Sequence, residues 1–217
     1  MLFCLVDYLK YIQAWEIAAV KFHDVTLITT QVARGMDYLA GKKVLHGDLA
    51  CRNILLAQDN VVKICDFRLA KDIMKTNNYH KTSDGPLPVK WLAIECLRDR
   101  IFSTQSDVWA FGVVLWEMFS LGKTPYPGIE PGLELYDKLS ANYRMSRPEF
   151  SPNNVYRLML DCWAAEPKHR SDYQDVLPRG ELELLLQAAL QGAGGHPGGP
   201  AGGGGEGSLH QAAGTDQ

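Results

Sequence analysis

Between Val108 and Leu121 nearly every side chain is apolar: Val108, Trp109, Phe111, Val113, Val114, Leu115, Trp116, Met118, Phe119 and Leu121. A helix that is apolar on every side has no face to offer water, so other elements must surround it. Ser106 and Asp107 are cap candidates before it, and Gly122 is placed to stop it. The rest of the fold therefore has to be built around this segment, and a chain of 217 residues is long enough to do so.

The material to surround it is mostly helical. Val25, Ile28, Val32, Met36 and Leu39 recur at three- and four-residue steps and predict a helix over Val25–Ala40, stopped by Gly41. Weaker helical patterns cover Leu133–Ala141, Val155–Trp163 and Tyr173–Leu190, the last split by Pro178. Ile54–Ala57 and Val61–Cys65, joined by Gln58-Asp59-Asn60, read as one small β-hairpin. Residues 66–95 carry no sustained period and read as a long loop, of the length that usually has a function. Residues 1–24 have no clear period and stay unassigned. Of the 20 glycines, 11 fall in Gly192–Gln217, so residues 191–217 read as a disordered Gly-rich tail after a folded unit over 25–190.

Composition narrows the function. A net charge of −3 gives no polyanion-binding surface, which argues against a nucleic-acid partner. The five cysteines, Cys4, Cys51, Cys65, Cys96 and Cys162, are odd in number and lack any C-x-x-C, as expected of a reducing compartment without a zinc site. Met1–Val6 is apolar but meets Asp7, Lys10 and Glu16 too soon for a membrane span, and it makes a poor signal peptide.

The chemistry lies around the hairpin. Asp48 and Asn53 precede it and Asp66 follows it, and a short hairpin returns its exit to its entrance. Two carboxylates and an amide oxygen meeting at one point suit a hard divalent cation beside a phosphate ester.

His46–Asn53 (HGDLACRN), Cys65–Ala70 (CDFRLA) and Leu87–Glu95 (LPVKWLAIE) resemble the catalytic loop, metal loop and substrate-facing segment of protein kinases. Ser106–Gly128 and Cys162–Arg170 resemble later landmarks of the same domain, in the same order. Ala50 and Arg52 after Asp48, with Lys90-Trp91 ahead of Glu95, are similar to tyrosine kinases. DIMKTNNY with LPVKW looks most like receptor tyrosine kinases of the PDGF/VEGF-receptor group, and HGD with KTSDGP is similar to invertebrate members. The resemblance implies an α+β fold: a mostly helical kinase C-terminal lobe with one hairpin and no N-terminal lobe.

It also implies roles. Asp48 would orient the substrate tyrosine hydroxyl and accept its proton, and Arg52 would brace it. Asn53 and Asp66 would hold Mg²⁺ for ATP, with Leu55 under the adenine. Trp91 would line the substrate tyrosine pocket and Tyr79 would be the activation-loop phosphorylation site. His46 and Phe67 would stack in the interior, Asp107 would be structural, and Glu95 would pair with Arg170. Partners would be protein tyrosine substrates and intact receptor kinases, on the cytoplasmic side of a plasma-membrane receptor.

Three departures stand against a complete enzyme. Before His46 the glycines are Gly35 and Gly41, so there is no Gly-rich phosphate loop, and Ala19-Val20-Lys21 reads as a chance match to the strand-lysine motif. Gly47 replaces an arginine usual in the catalytic loop. Arg68 replaces the glycine after Asp66-Phe67, adding bulk beside the metal site. The alternative is an inactive, pseudokinase-like binding module or a truncated gene product.

Overall fold

The computed structural model describes residues 2–14, 18–74, 76–82 and 87–173. The expected helix Tyr173–Leu190, its break at Pro178 and the Gly-rich tail lie outside the described residues, Tyr173 excepted.

The apolar segment is the central helix α4, Thr104–Phe119, and all fourteen of its residues from Ser106 to Phe119 are buried. Its start is one turn earlier than the cap candidates suggest. Ser103 is the N-cap: its hydroxyl accepts the Ser106 N–H (3.3 Å), and the Ser106 hydroxyl accepts the Ser103 N–H (3.0 Å). Asp107 is thereby freed for another task. At the far end Gly122 takes a left-handed backbone (φ 80°), and its N–H closes on the Glu117 carbonyl at 2.8 Å.

Helix α2, Ala18–Gly41, packs on α4 along the expected stripe of Val25, Ile28, Val32 and Met36, all buried. It begins seven residues before Val25, and Lys21 lies on this helix rather than on a strand. The residues the sequence leaves unassigned contribute strand β1, Phe3–Cys4, and helix α1, Leu5–Ala14. Leu5, Leu9 and Ile12 form the buried stripe of α1, each adding roughly 2 kcal/mol of apolar burial before entropy is counted.

Strand pairing among the described residues extends beyond the single expected hairpin. Beyond β2 (Val44–Leu45), strands β3 (Ile54–Leu56) and β4 (Val62–Ile64) form the expected hairpin, and β1 extends it, Cys4 opposite Leu55. Residues 66–95 are tied down at two points. Strand β5, Lys71–Asp72, pairs with β2, and β6, Asn78–His80, pairs with a strand that follows helix α3, Ile94–Asp99. That strand is β7, Ile101–Ser103, which puts Tyr79 opposite Phe102. Helices α5, Leu133–Ser140, and α6, Asn153–Cys162, complete the lobe, with α6 packed on α4. No helix among the described residues is long and apolar enough to cross a membrane.

Candidate active site

The loop His46–Asn53 lies over α4, and two buried carboxylates of that helix hold it by its backbone. Asp107 accepts the N–H groups of His46 (2.7 Å) and Gly47 (3.0 Å). Gly47 has φ 76°, and a Cβ there would come within 3.2 Å of the Leu69 carbonyl oxygen, so the loop's path suits glycine. Glu117 accepts the Cys51 N–H (3.1 Å) and the Trp91 indole N–H (2.9 Å). Burial pushes the Asp107 carboxyl up to about 7 against the pull of its two N–H donors, and it raises Glu117 as well. The sequence reading overlooked Glu117, although a lone carboxylate inside an all-apolar helix is the signal that could have found it.

On this platform His46 is buried, with Nε2 3.1 Å from the Cys65 carbonyl and Nδ1 accepting the Asp48 N–H at 3.2 Å. One nitrogen donates and the other accepts, which is the neutral imidazole, and burial holds its pKa below the ordinary value. The ring stacks obliquely on Phe67, centroids 4.9 Å apart. Arg52 pairs with the Asp48 carboxylate, and its guanidinium lies 4.3 Å above the Trp91 ring. Asn53 donates its amide N–H to the Asp48 carbonyl (2.7 Å), while its own carbonyl accepts the Cys65 N–H (2.9 Å). The exit of the hairpin is thus fastened to its entrance. Burial drives the Cys51 thiol far up and raises Cys65, so both stay protonated and neither is an activated nucleophile.

Asp66 has a left-handed backbone (φ 63°) that turns its carboxylate toward residue 68. Arg68 grips it with two parallel bonds, Nε to Oδ1 and a terminal nitrogen to Oδ2, each 2.6 Å. These bonds hold the Asp66 carboxyl below the usual carboxylate range.

A cleft of about 600 Å³ opens beside Asp48, lined among others by Arg68, Lys71, Tyr79, Lys81, Leu87 and Pro88. Trp91 is half-buried beside it: its indole bonds Glu117, lies under Arg52, and lines a small second pocket together with Asp48 and Gly47, while Leu87 and Pro88 stand at the wall of the larger cleft. Tyr79 is no free loop tyrosine. It is half-buried in β6, with its ring 5.3 Å from the Lys71 ammonium. Leu55 is half-buried in the middle strand of the three-stranded sheet. Away from the cleft, Arg170 meets Glu95 through two 2.7 Å bonds.

This layout can be set beside known proteins. Residues 3–179 match the family model for protein tyrosine and serine/threonine kinases. The chain belongs to the protein kinase family. A vascular endothelial growth factor receptor kdr-like protein of Danio rerio is 49% identical over 173 residues, 80% of this chain. Platelet-derived growth factor receptor alpha of Takifugu rubripes is 50% identical over 151 residues, 70% of the chain. Fibroblast growth factor receptor 1 of Xenopus laevis is 51% identical over 166 residues, 76% of the chain. These matches put the chain on the receptor tyrosine kinase branch, and it spans 13%, 14% and 20% of those relatives' lengths.

Protein kinases use ATP and Mg²⁺, and oxygen donors are the right kind for that ion. Asn53 and Asp66 are of that kind, and Asn53, whose amide nitrogen bonds the Asp48 carbonyl, keeps its side-chain oxygen for such a role, but both Asp66 oxygens are committed to Arg68. The expected Mg²⁺ pair at Asn53 and Asp66 therefore does not fit in this arrangement, and the reason is Arg68.

The buried groups also set a pH dependence. Asp107 titrates at about 7 in the fold against 3.8 as its ordinary value, so the folded chain holds an extra proton between those pH values. Its contribution to stability grows as pH falls through that window and is lost as pH rises through 7. His46, lowered by burial, acts in the opposite sense and costs stability as pH falls below 6.5. Urea melts of the native chain and Asp107→Asn should therefore diverge on acidification from about pH 7.5 to about pH 5, the native chain gaining relative to the variant by at most about 1.4 kcal/mol per pH unit. A difference that stays constant with pH would show that Asp107 remains ionised throughout.

Proposed function

We propose that this chain is the substrate-facing lobe of a protein-tyrosine kinase of receptor type, which transfers the γ-phosphoryl group of ATP to a protein tyrosine. The observation that carries the reading is the Asp48 carboxylate at the cleft, aimed by Arg52 and seated on a loop that Asp107 and Glu117 hold from below. In this reading the acceptor tyrosine lies against Leu87 and Pro88. Its hydroxyl donates to Asp48, which takes the proton as the oxygen attacks. Arg52 keeps the carboxylate in place by pairing with it and by stacking on Trp91. Leu55 supplies apolar surface under the adenine, and Tyr79 is a phosphate acceptor once β6 parts from β7. Protein tyrosines are the substrates, intact receptor kinases are docking partners, and the lobe works on the cytoplasmic side of the plasma membrane.

A second reading, a docking module without turnover, is favoured by one observation, the closure of Asp66 by Arg68. A chimera separates the two. Residues 1–217 would be joined behind the N-terminal lobe of a vascular endothelial growth factor receptor, with and without Arg68→Gly, and tested for phosphorylation of a Glu/Tyr copolymer. At least one background should label the copolymer, and Asp48→Asn should lower that labelling at least about a hundredfold. Labelling no greater than that of Asp48→Asn in both backgrounds would leave the docking module as the function.

A further inference from the structure

The carboxylate that faces the hairpin exit already has a cation. Arg68 is two residues from Asp66, and the left-handed turn at Asp66 brings the carboxylate beneath residue 68, whose backbone N–H also points at it (3.5 Å). The guanidinium then closes a planar, bidentate contact with both oxygens, the geometry in which this pair is strongest. Nothing else holds the side chain: it is 84% exposed and its bonds are to Asp66 alone among the described residues. A guanidinium does not lose its proton at any pH a protein survives, so raising the pH does not release the contact.

We propose that Arg68 is a tethered monocation in the seat of a divalent ion, neutralising Asp66 and excluding free divalent cations from the Asn53–Asp66 site. The proposal rests on the reading of Asp66 as the carboxylate that would otherwise bind such a cation. Two features set the outcome. The fork occupies both oxygens, so a metal has to displace two charge-assisted bonds rather than share the carboxylate. A divalent ion brought to Asp66 while Arg68 is still nearby also faces a like charge a few ångströms away, and such a repulsion weakens binding by about tenfold or more. Glycine at position 68 has neither effect, because it has no group to reach Asp66.

Manganese is the probe, because its unpaired electrons broaden nearby nuclear resonances even when binding is weak. The ¹⁵N-labelled 217-residue chain and its Arg68→Gly variant would be titrated with MnCl₂ alone, following the amides of Asn53, Asp66, Phe67 and Leu69. The indole resonance of buried Trp109 would report that both stay folded. In Arg68→Gly these amides should broaden at Mn²⁺ concentrations about tenfold lower than in the native chain, with Arg68→Lys, which keeps the charge but loses the fork, in between. Adding Asp66→Asn to Arg68→Gly should abolish the broadening. Equal concentration dependence in the native chain and Arg68→Gly, whether both broaden or neither does, would overturn the proposal. Broadening that survives Asp66→Asn in the Arg68→Gly background would instead refute Asp66 as the cation's carboxylate, and with it the proposal's premise.

Discussion

Replacing Arg170 with leucine should leave the chain largely unfolded. The Arg170 side chain is wholly buried and that of Glu95 nearly so, at 0% and 11% exposed. The guanidinium makes two 2.7 Å bonds to the Glu95 carboxylate and reaches the carbonyls of Gln105 (2.9 Å), Ala164 (2.9 Å) and Ala165 (3.3 Å). It also lies 5.1 Å from the centre of the Trp109 ring on α4. One side chain therefore ties α3, α4 and the segment after α6 together. Leucine would leave a buried carboxylate without its cation and take one donor from each of three carbonyls, and removing one partner of such a pair costs about 3–5 kcal/mol. Domains of this size have only about 5–15 kcal/mol to lose. Glu95→Gln should also be severe, because it strands a buried cation. Lys168→Ala, exposed and two residues from Arg170, should be nearly silent. Urea melts decide: an Arg170→Leu midpoint equal to that of Lys168→Ala would mean the pair contributes no more than a surface contact.

Gly112→Val should be nearly as damaging, for a steric reason. Gly112 is in the middle of α4, where α6 crosses it. A Cβ at this position would sit 2.7 Å from the Cβ of Cys162 and 2.7 Å from the indole nitrogen of Trp163. Both neighbours are buried, and a Cβ bonded directly to the backbone moves only if the helix does. Alanine would gain about 1 kcal/mol in helix propensity over glycine, against about 1–3 kcal/mol for overpacking, so Gly112→Ala should be mildly destabilising. Valine adds two methyl groups to the same collision and loses some of the propensity gain, so at least about 3 kcal/mol is expected. Thermal melts of the two variants test this, and Gly112→Val melting with the native chain would show that α4 and α6 do not approach as closely as they do here.

The parts of this lobe that could be read from the chain are those whose signal is local. The apolar run around Trp109 could only be a central helix, and the stripe from Val25 to Met36 could only be a helix with one buried face. Two short runs about a tight turn could only be a hairpin, and that hairpin returns the segment bearing Asp66 to the loop bearing Asp48 and Asn53. In each case a periodicity or a turn within a dozen residues reports which side of the element meets water. What only the tertiary structure decided are the pairings across distance. Strand β1 is two residues long and exists because Leu55 and Leu56 of β3 pair with it, some fifty residues away. Strands β5 and β6 lie in a stretch without periodicity, and their hydrogen bonds to β2 and β7 are what order it. From the sequence Asp107 reads as a cap candidate, and Glu117 goes unread inside an apolar run. Their work is to satisfy N–H groups of a loop about sixty residues earlier, which no local pattern encodes. The bond from the Trp91 indole to Glu117 belongs to the same class, whereas Arg68 on Asp66 is a local contact set by the left-handed turn at Asp66. A side chain's choice of partner is set by what the folded chain leaves unsatisfied within reach, and that is fixed only after the core around α4 has brought distant segments together.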